Sequence, residues 1–357
     1  VGSVSTAIQG YVAGGGGYSS ATFSINFGQR PFAYTPPSGF RALNTQNLPT
    51  PTILKGNQYF DATTYTGNGA ARSITNSGAF QPDLVWIKDR TNANDHGLFD
   101  AVRGATIGLK SNTTGAEVTD AQTVTAFNSN GFSLGTSGSS FTTNFNGSSF
   151  VGWQWKRGAT QGFDIQAITA QASGNGTFSH SLGVAPKFLI VKSRAGVGNW
   201  NVWTPTLTVD QFLLLNTTAA ATTDTTSWGS TAPTSSSFTL GSKWAGQGTL
   251  IAYLFAEVAG FSKFGSYTGN GSADGPFVYC GFRSRWIMVK RTDATQNWAI
   301  IDTARDTANV MNRRLFANLS DAEDQGIPNF IDVTANGFKC RDSNISYNAS
   351  GGTFIYA

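Results

Sequence analysis

Short apolar runs separated by Gly, Asn, Ser and Thr set the rhythm of this chain, and one run recurs. Pro82-Asp83-Leu84-Val85-Trp86-Ile87-Lys88-Asp89-Arg90 holds four consecutive apolar residues, β-branched and aromatic among them, entered through a proline and closed by a lysine. That composition predicts a β-strand. Phe188-Leu189-Ile190-Val191-Lys192 and Trp286-Ile287-Met288-Val289-Lys290 repeat it. The closing lysines are spaced by about 100 residues, the size of a domain rather than of a solenoid repeat.

Other landmarks keep the same order around each copy. Tyr65-Thr66-Gly67-Asn68-Gly69 returns as Tyr267-Thr268-Gly269-Asn270-Gly271, a turn between two strands. Asn199-Trp200-Asn201-Val202-Trp203 matches Asn297-Trp298-Ala299-Ile300-Ile301. The asparagines of Leu109-Lys110-Ser111-Asn112, Leu213-Leu214-Leu215-Asn216 and Leu315-Phe316-Ala317-Asn318 fall in step. Asn130-Gly131-Phe132 and Asn336-Gly337-Phe338 share a turn that the middle copy lacks. Many short strands punctuated by turn residues predict an all-β chain of tandem β-sandwich domains, of jelly-roll or concanavalin-like type. The boundaries fall at 56–158, 159–260 and 261–357, the last ending within its closing strand. Only residues 307–318 show spacing suggestive of a short helix.

Residues 1–55 differ. Thr22-Phe23-Ser24-Ile25-Asn26-Phe27 alternates as a strand does, and Arg30-Pro31, Pro36-Pro37 and Pro49-Thr50-Pro51 mark an extended linker. A strand and a linker cannot bury their own aromatics. The segment therefore reads as the end of an upstream domain, or as a strand lent to a neighbour.

Charge changes the picture next. Only 12% of residues are charged, about half the usual share, so Gly, Ser, Thr and Asn carry the surface. This suits a rigid extracellular or particle-bound protein. The net charge of +4 comes from scattered cations with no basic run, which argues against nucleic-acid binding. No apolar stretch reaches a membrane span, and no signal peptide is visible. Cys280 and Cys340 lack metal spacing and read as two thiols or a single bridge.

Candidate chemistry is sparse. His96 and His180 sit in different copies, and no Gly-x-Ser-x-Gly elbow accompanies them. Asp83, Asp89, Asp95 and Asp100 cluster in the first copy but are not kept in the second, as surface decoration is not. Asp321-Ala322-Glu323-Asp324 fits no calcium loop and reads as solvated surface. No catalytic residue, metal ligand or cofactor is expected. The tryptophans remain. Trp86, Trp153, Trp155 and Trp286 lie in core strands, whereas Trp200, Trp228, Trp244 and Trp298 stand near turns and polar loops. Those four are the candidates for stacking a sugar or meeting a partner.

The segment Phe27-Gly28-Gln29-Arg30-Pro31-Phe32-Ala33-Tyr34-Thr35-Pro36-Pro37-Ser38-Gly39-Phe40, the Tyr-Thr-Gly-Asn-Gly turns, and Ser350-Gly351-Gly352-Thr353-Phe354-Ile355-Tyr356 resemble the tail-fibre and virion structural proteins of tailed bacteriophages. The resemblance implies a SPRY-like, concanavalin-type N-terminal segment followed by lectin-like sandwiches. It implies a non-enzymatic virion protein on the exterior of tail or capsid, with other virion proteins and a host-surface glycan as partners. Fibres of this sort imply a homotrimer. A secreted or cell-surface carbohydrate-binding array and a glycan-cleaving spike are the alternatives.

Overall fold

The computed structural model describes residues 35, 51–324 and 330–357. The chain divides after Pro51. The strand and most of the proline-rich linker expected in residues 1–55 lie outside the described residues.

The first sandwich comprises β1 (Phe60–Thr66), β2 (Arg72–Thr75), β3 (Leu84–Asp89), β4 (Gly97–Asp100), β5 (Ile107–Leu109), β6 (Val118–Thr119), β7 (Val124–Asn128), β8 (Gly131–Leu134) and β9 (Ser149–Trp155). Its large sheet runs β1-β9-β3-β4-β5-β6 and its small sheet β2-β8-β7, antiparallel throughout. The second comprises β10 (Phe163–Thr169), β11 (Gly176–Ser179), β12 (Phe188–Ser193), β13 (Asn201–Trp203), β14 (Gln211–Leu214), β15 (Thr222–Thr223), β16 (Ser237–Leu240) and β17 (Thr249–Phe255). It repeats the large sheet as β10-β17-β12-β13-β14-β15 over a small sheet, β11-β16. The third comprises β18 (Gly265–Thr268), β19 (Phe277–Tyr279), β20 (Trp286–Arg291), β21 (Ala299–Asp302), β22 (Leu315–Phe316), β23 (Ile331–Thr334), β24 (Gly337–Cys340) and β25 (Thr353–Tyr356). Its sheets are β18-β25-β20-β21-β22 and β19-β24-β23. The described residues form an all-β fold with three two-sheet sandwiches.

The recurring apolar run is the middle of each large sheet, buried on both faces, which is why it does not alternate. Val85 and Ile87 face the small sheet of their own sandwich, with Phe99, Phe132 and Phe150. Leu84 and Trp86 face the other way, into a core built by all three sandwiches: Trp153 from the first, Ile190, Trp200 and Tyr253 from the second, Met288, Trp298 and Ile355 from the third. The copies are therefore not beads on a string. They close around one shared core, each large sheet turning one face inward.

The missing Asn-Gly-Phe turn has a structural counterpart. That turn makes the β7–β8 and β23–β24 hairpins. The middle sandwich lacks the hairpin, and helix α1 (Thr225–Trp228), with the short turn Ser242–Trp244, lies beside β16 instead. Asp224 caps α1 by accepting from Thr226 N at 2.8 Å. Residues 307–318, where a helix was expected, instead carry β22 and the bridges Met311–Ile331 and Arg314–Asp324. Neighbouring strands there satisfy the backbone and override the weak helical spacing.

Candidate functional site

The four tryptophans expected to contact a ligand are buried. Trp200 is 0%, Trp298 1%, Trp228 2% and Trp244 6% exposed, so none offers a free ring face. Trp228 and Trp244 fill the core of the second sandwich. Trp244 Nε1 donates to Ser227 O at 3.0 Å.

Trp200 and Trp298 do a different job. Trp200 Nε1 donates to Lys110 O of the first sandwich at 2.9 Å, and Trp298 Nε1 to Leu214 O of the second at 2.9 Å. The same place in the first sandwich holds His96, whose Nε2 reaches Phe316 O of the third at 3.0 Å. Trp86 Nε1 can only donate, and it points to His96 Nδ1 at 2.8 Å. Nδ1 is therefore the acceptor and Nε2 carries the proton it donates to Phe316 O. Burial, aided by nearby Lys88, pulls this imidazole down to about 3. It is a neutral ring N–H donor standing where the other copies use indole. The three contacts run first to third, second to first and third to second, which closes a ring with approximate three-fold symmetry.

The conserved-in-register asparagines hold these rings in place. Asn112, Asn216 and Asn318 Oδ1 accept the backbone N–H of His96, Trp200 and Trp298 at 3.1, 2.9 and 2.8 Å. The repeated lysines lie at the same end of the sheets. Lys88, Lys192 and Lys290 are each 0% exposed. Lys192 Nζ donates to Ser193 O at 2.7 Å, and Lys290 Nζ to Gln296 O at 2.8 Å and Thr218 O at 3.0 Å. Burial lowers each to about 8.

The carboxylates weighed for catalysis are engaged in ion pairs and backbone hydrogen bonds. Asp100 and Arg103 form a fully buried pair at 2.5 Å, and Tyr253 OH of the second sandwich donates to Asp100 Oδ2 at 2.7 Å. Asp302 and Arg305 repeat the pair at 2.5 Å, with Trp153 Nε1 donating to Asp302 Oδ2 at 2.9 Å. Asp89 accepts from Thr91 and Asn92 backbone, Asp95 pairs with Lys110, and Asp83 accepts from Arg157 N. Glu323, expected in solvated surface, is a buried node: its side chain is 2% exposed and binds Arg90 at 2.7 Å and Arg305 at 2.8 Å. Arg194 and Glu117 repeat the Arg90–Glu323 contact at 2.9 Å. His180 is buried too, its Nε2 against Thr234 O. Cys280 and Cys340 are free buried thiols. Among the described residues, no group of three or more His, Cys, Asp or Glu is placed to hold a metal ion.

The concave site lies at the opposite end of the shared core from the lysines. It is a cavity of about 610 Å³ that opens to solvent, within the size range of small-ligand sites. Phe60 and Trp155 come from the first sandwich, Phe163, Phe188 and Phe255 from the second, and Trp286 from the third. These rings meet across the units: Trp155 and Trp286 pack edge to face at 5.6 Å, and Trp155 and Phe255 at 6.4 Å. Trp86, Ile190 and Met288 form the floor. Lys156, Lys263, Arg283 and Arg285 bring positive charge to the lining, against the carboxylate of Asp61. The sequence assigned Trp155 and Trp286 to the core and gave no sign that they gather at an opening. That follows only from three sheets ending together.

No curated protein and no solved structure matches the chain. Residues 55–357 match the model of the family described as Domain of unknown function (DUF7483), and the chain belongs to that family.

Proposed function

We propose that the chain is a non-enzymatic structural and binding protein of a virion, carried on a tail or head fibre, with the axial aromatic mouth as the face that meets the host surface. The observation that carries the reading is the mouth itself: one opening lined by aromatic rings from all three sandwiches. Its floor and walls rest on a shared core tied by buried hydrogen bonds and ion pairs. Such a mouth is held rigid before any ligand arrives, and preorganisation lowers the entropic cost of binding. The resemblance to phage fibre proteins supplies the particle. Other virion proteins are the partners on this reading. A homotrimer is not needed to close a three-fold, since one chain contributes three sandwiches.

The test uses the full chain. An antiserum against it should label purified phage particles from its source, and the labelled protein should adsorb saturably to host cells. Host-surface glycan incubated with it should keep its length. Absence from the particles, or release of sugar from the glycan, overturns the reading.

A further inference from the structure

Charge at the mouth narrows what it takes. We propose that the axial mouth binds an aromatic anion: a planar apolar ring system carrying a single acidic group. This rests on reading the mouth as a binding face, but not on its place in a virion.

Three observations carry it. The first is the arrangement of the rings. Trp155 stands at 88° to Trp286 and 72° to Phe255, with Phe60 tilted beside it at 5.0 Å. Edges and faces alternate around the opening, so a flat guest finds an edge or a face at ordinary aromatic distances on several sides. The second is the floor. Trp86, Ile190 and Met288 are apolar, and Trp86 has already spent its N–H on His96. A neutral sugar would lose its hydroxyl hydration there without replacement, whereas an aryl ring has none to lose.

The third is the imbalance of charge. Asp61 is committed, its Oδ2 accepting from Ser77 N at 2.8 Å and Thr63 Oγ1 at 3.0 Å, with Arg285 3.7 Å from Oδ1. Lys263 is paired with Glu257 at 2.6 Å. Lys156 lies over the Tyr59 ring at 5.8 Å, and Arg283 donates to Val333 O at 2.8 Å. Neither is in an ion pair with a described carboxylate. Two cations at the edge of an apolar-lined opening attract an anion and repel a cation.

The experiment compares three indoles whose short 3-side chains end in an anionic, a neutral and a cationic group, titrated calorimetrically into the full-length protein: indole-3-acetate, indole-3-ethanol and tryptamine. The acid should bind about tenfold more tightly than the alcohol, as a charge-assisted contact gives, and the amine should bind weakest. In the double variant Lys156→Ala/Arg283→Ala the acid should fall to the affinity of the alcohol, with the alcohol unchanged. Both side chains sit at the rim, so the far-ultraviolet circular dichroism should stay that of the parent. Trp155→Leu should weaken all three ligands; if it fails to fold, the rim variant still decides. Equal binding of acid and alcohol, an acid preference that survives the rim variant, or no binding of any indole overturns the inference. In that event saturable host-cell adsorption would leave the broader reading standing, so the two failures are distinguishable.

Discussion

The shared core contains its own control experiment. At two of the three junctions a buried aspartate–arginine pair meets a donor from the next sandwich: Asp100, Arg103 and Tyr253 at one, Asp302, Arg305 and Trp153 at the other. At the third, strand register places Thr204, Leu207 and Ala357 in the corresponding positions. The perturbation is to rewrite the first junction in the language of the third. Arg103→Leu alone removes a guanidinium that is wholly buried and leaves Asp100, 0% exposed, facing only Tyr253 OH and two backbone N–H groups. Stranding a buried charge in this way should cost about 3–5 kcal/mol. The triple variant Asp100→Thr/Arg103→Leu/Tyr253→Phe removes the charge and both its partners together. It should lie within about 2 kcal/mol of the parent, since replacing a buried ion pair by packed apolar groups is near neutral. Guanidinium unfolding followed by tryptophan fluorescence measures both. A single variant within 1 kcal/mol of the parent would refute the reasoning. So would a triple variant no more stable than the single.

Four other outcomes are expected. Folded Lys88, Lys192 and Lys290 titrate near 8 instead of 10.5 because burial disfavours their charge; between those values the unfolded chain holds more protons, so stability should rise with pH above about 8. Near pH 10 the slope should reverse, because burial raises Tyr65, Tyr253 and Tyr267 and the unfolded chain then loses protons first; a steady fall in unfolding free energy from pH 7.5 to 9.5 would contradict this. Gly337→Ala should destabilise by more than about 1 kcal/mol in the same unfolding assay, because a Cβ there would lie 2.0 Å from Val278 O of the paired strand. Light scattering at micromolar concentration should give the mass of one chain, since the three-fold closes within it; a stable trimer would show that assembly rests on other surfaces.

Much of the fold was legible because the chain states it three times. The lysine-closed run and the Leu-x-x-Asn landmark each mark a fixed place in the large sheets, and the strand-and-turn pattern made the all-β class legible. What was hidden is how the sandwiches meet. An apolar run buried on both faces looks the same whether its second face meets a neighbour within the chain or a separate subunit. The tryptophans misled for a related reason: proximity to a polar loop says nothing about burial once another sheet covers that loop. One signal was available. Had Asp95-His96 been set beside Asn199-Trp200 and Asn297-Trp298, three ring N–H donors at one register position would have pointed to an interior contact rather than an exposed ring. The mouth had no such signal, since its rings come from strand ends far apart in the sequence.

Joining the three sandwiches in one chain explains why they differ. Subunits of a homotrimer must present identical junctions, so any change is made three times. Here each junction is free to diverge. The ring-to-carbonyl contact is kept at all three, through His96, Trp200 and Trp298. The ion pairs are kept at two, Arg90–Glu323 and Arg194–Glu117, while Thr292 and Ala221 meet at the third through a backbone bond of 2.8 Å. The same freedom shapes the mouth. The corresponding first residues of the middle strands are Leu84, Phe188 and Trp286, three different sizes around one opening. A three-fold of identical rings would favour a guest of matching symmetry. Unequal walls favour an asymmetric guest, bound in a single orientation.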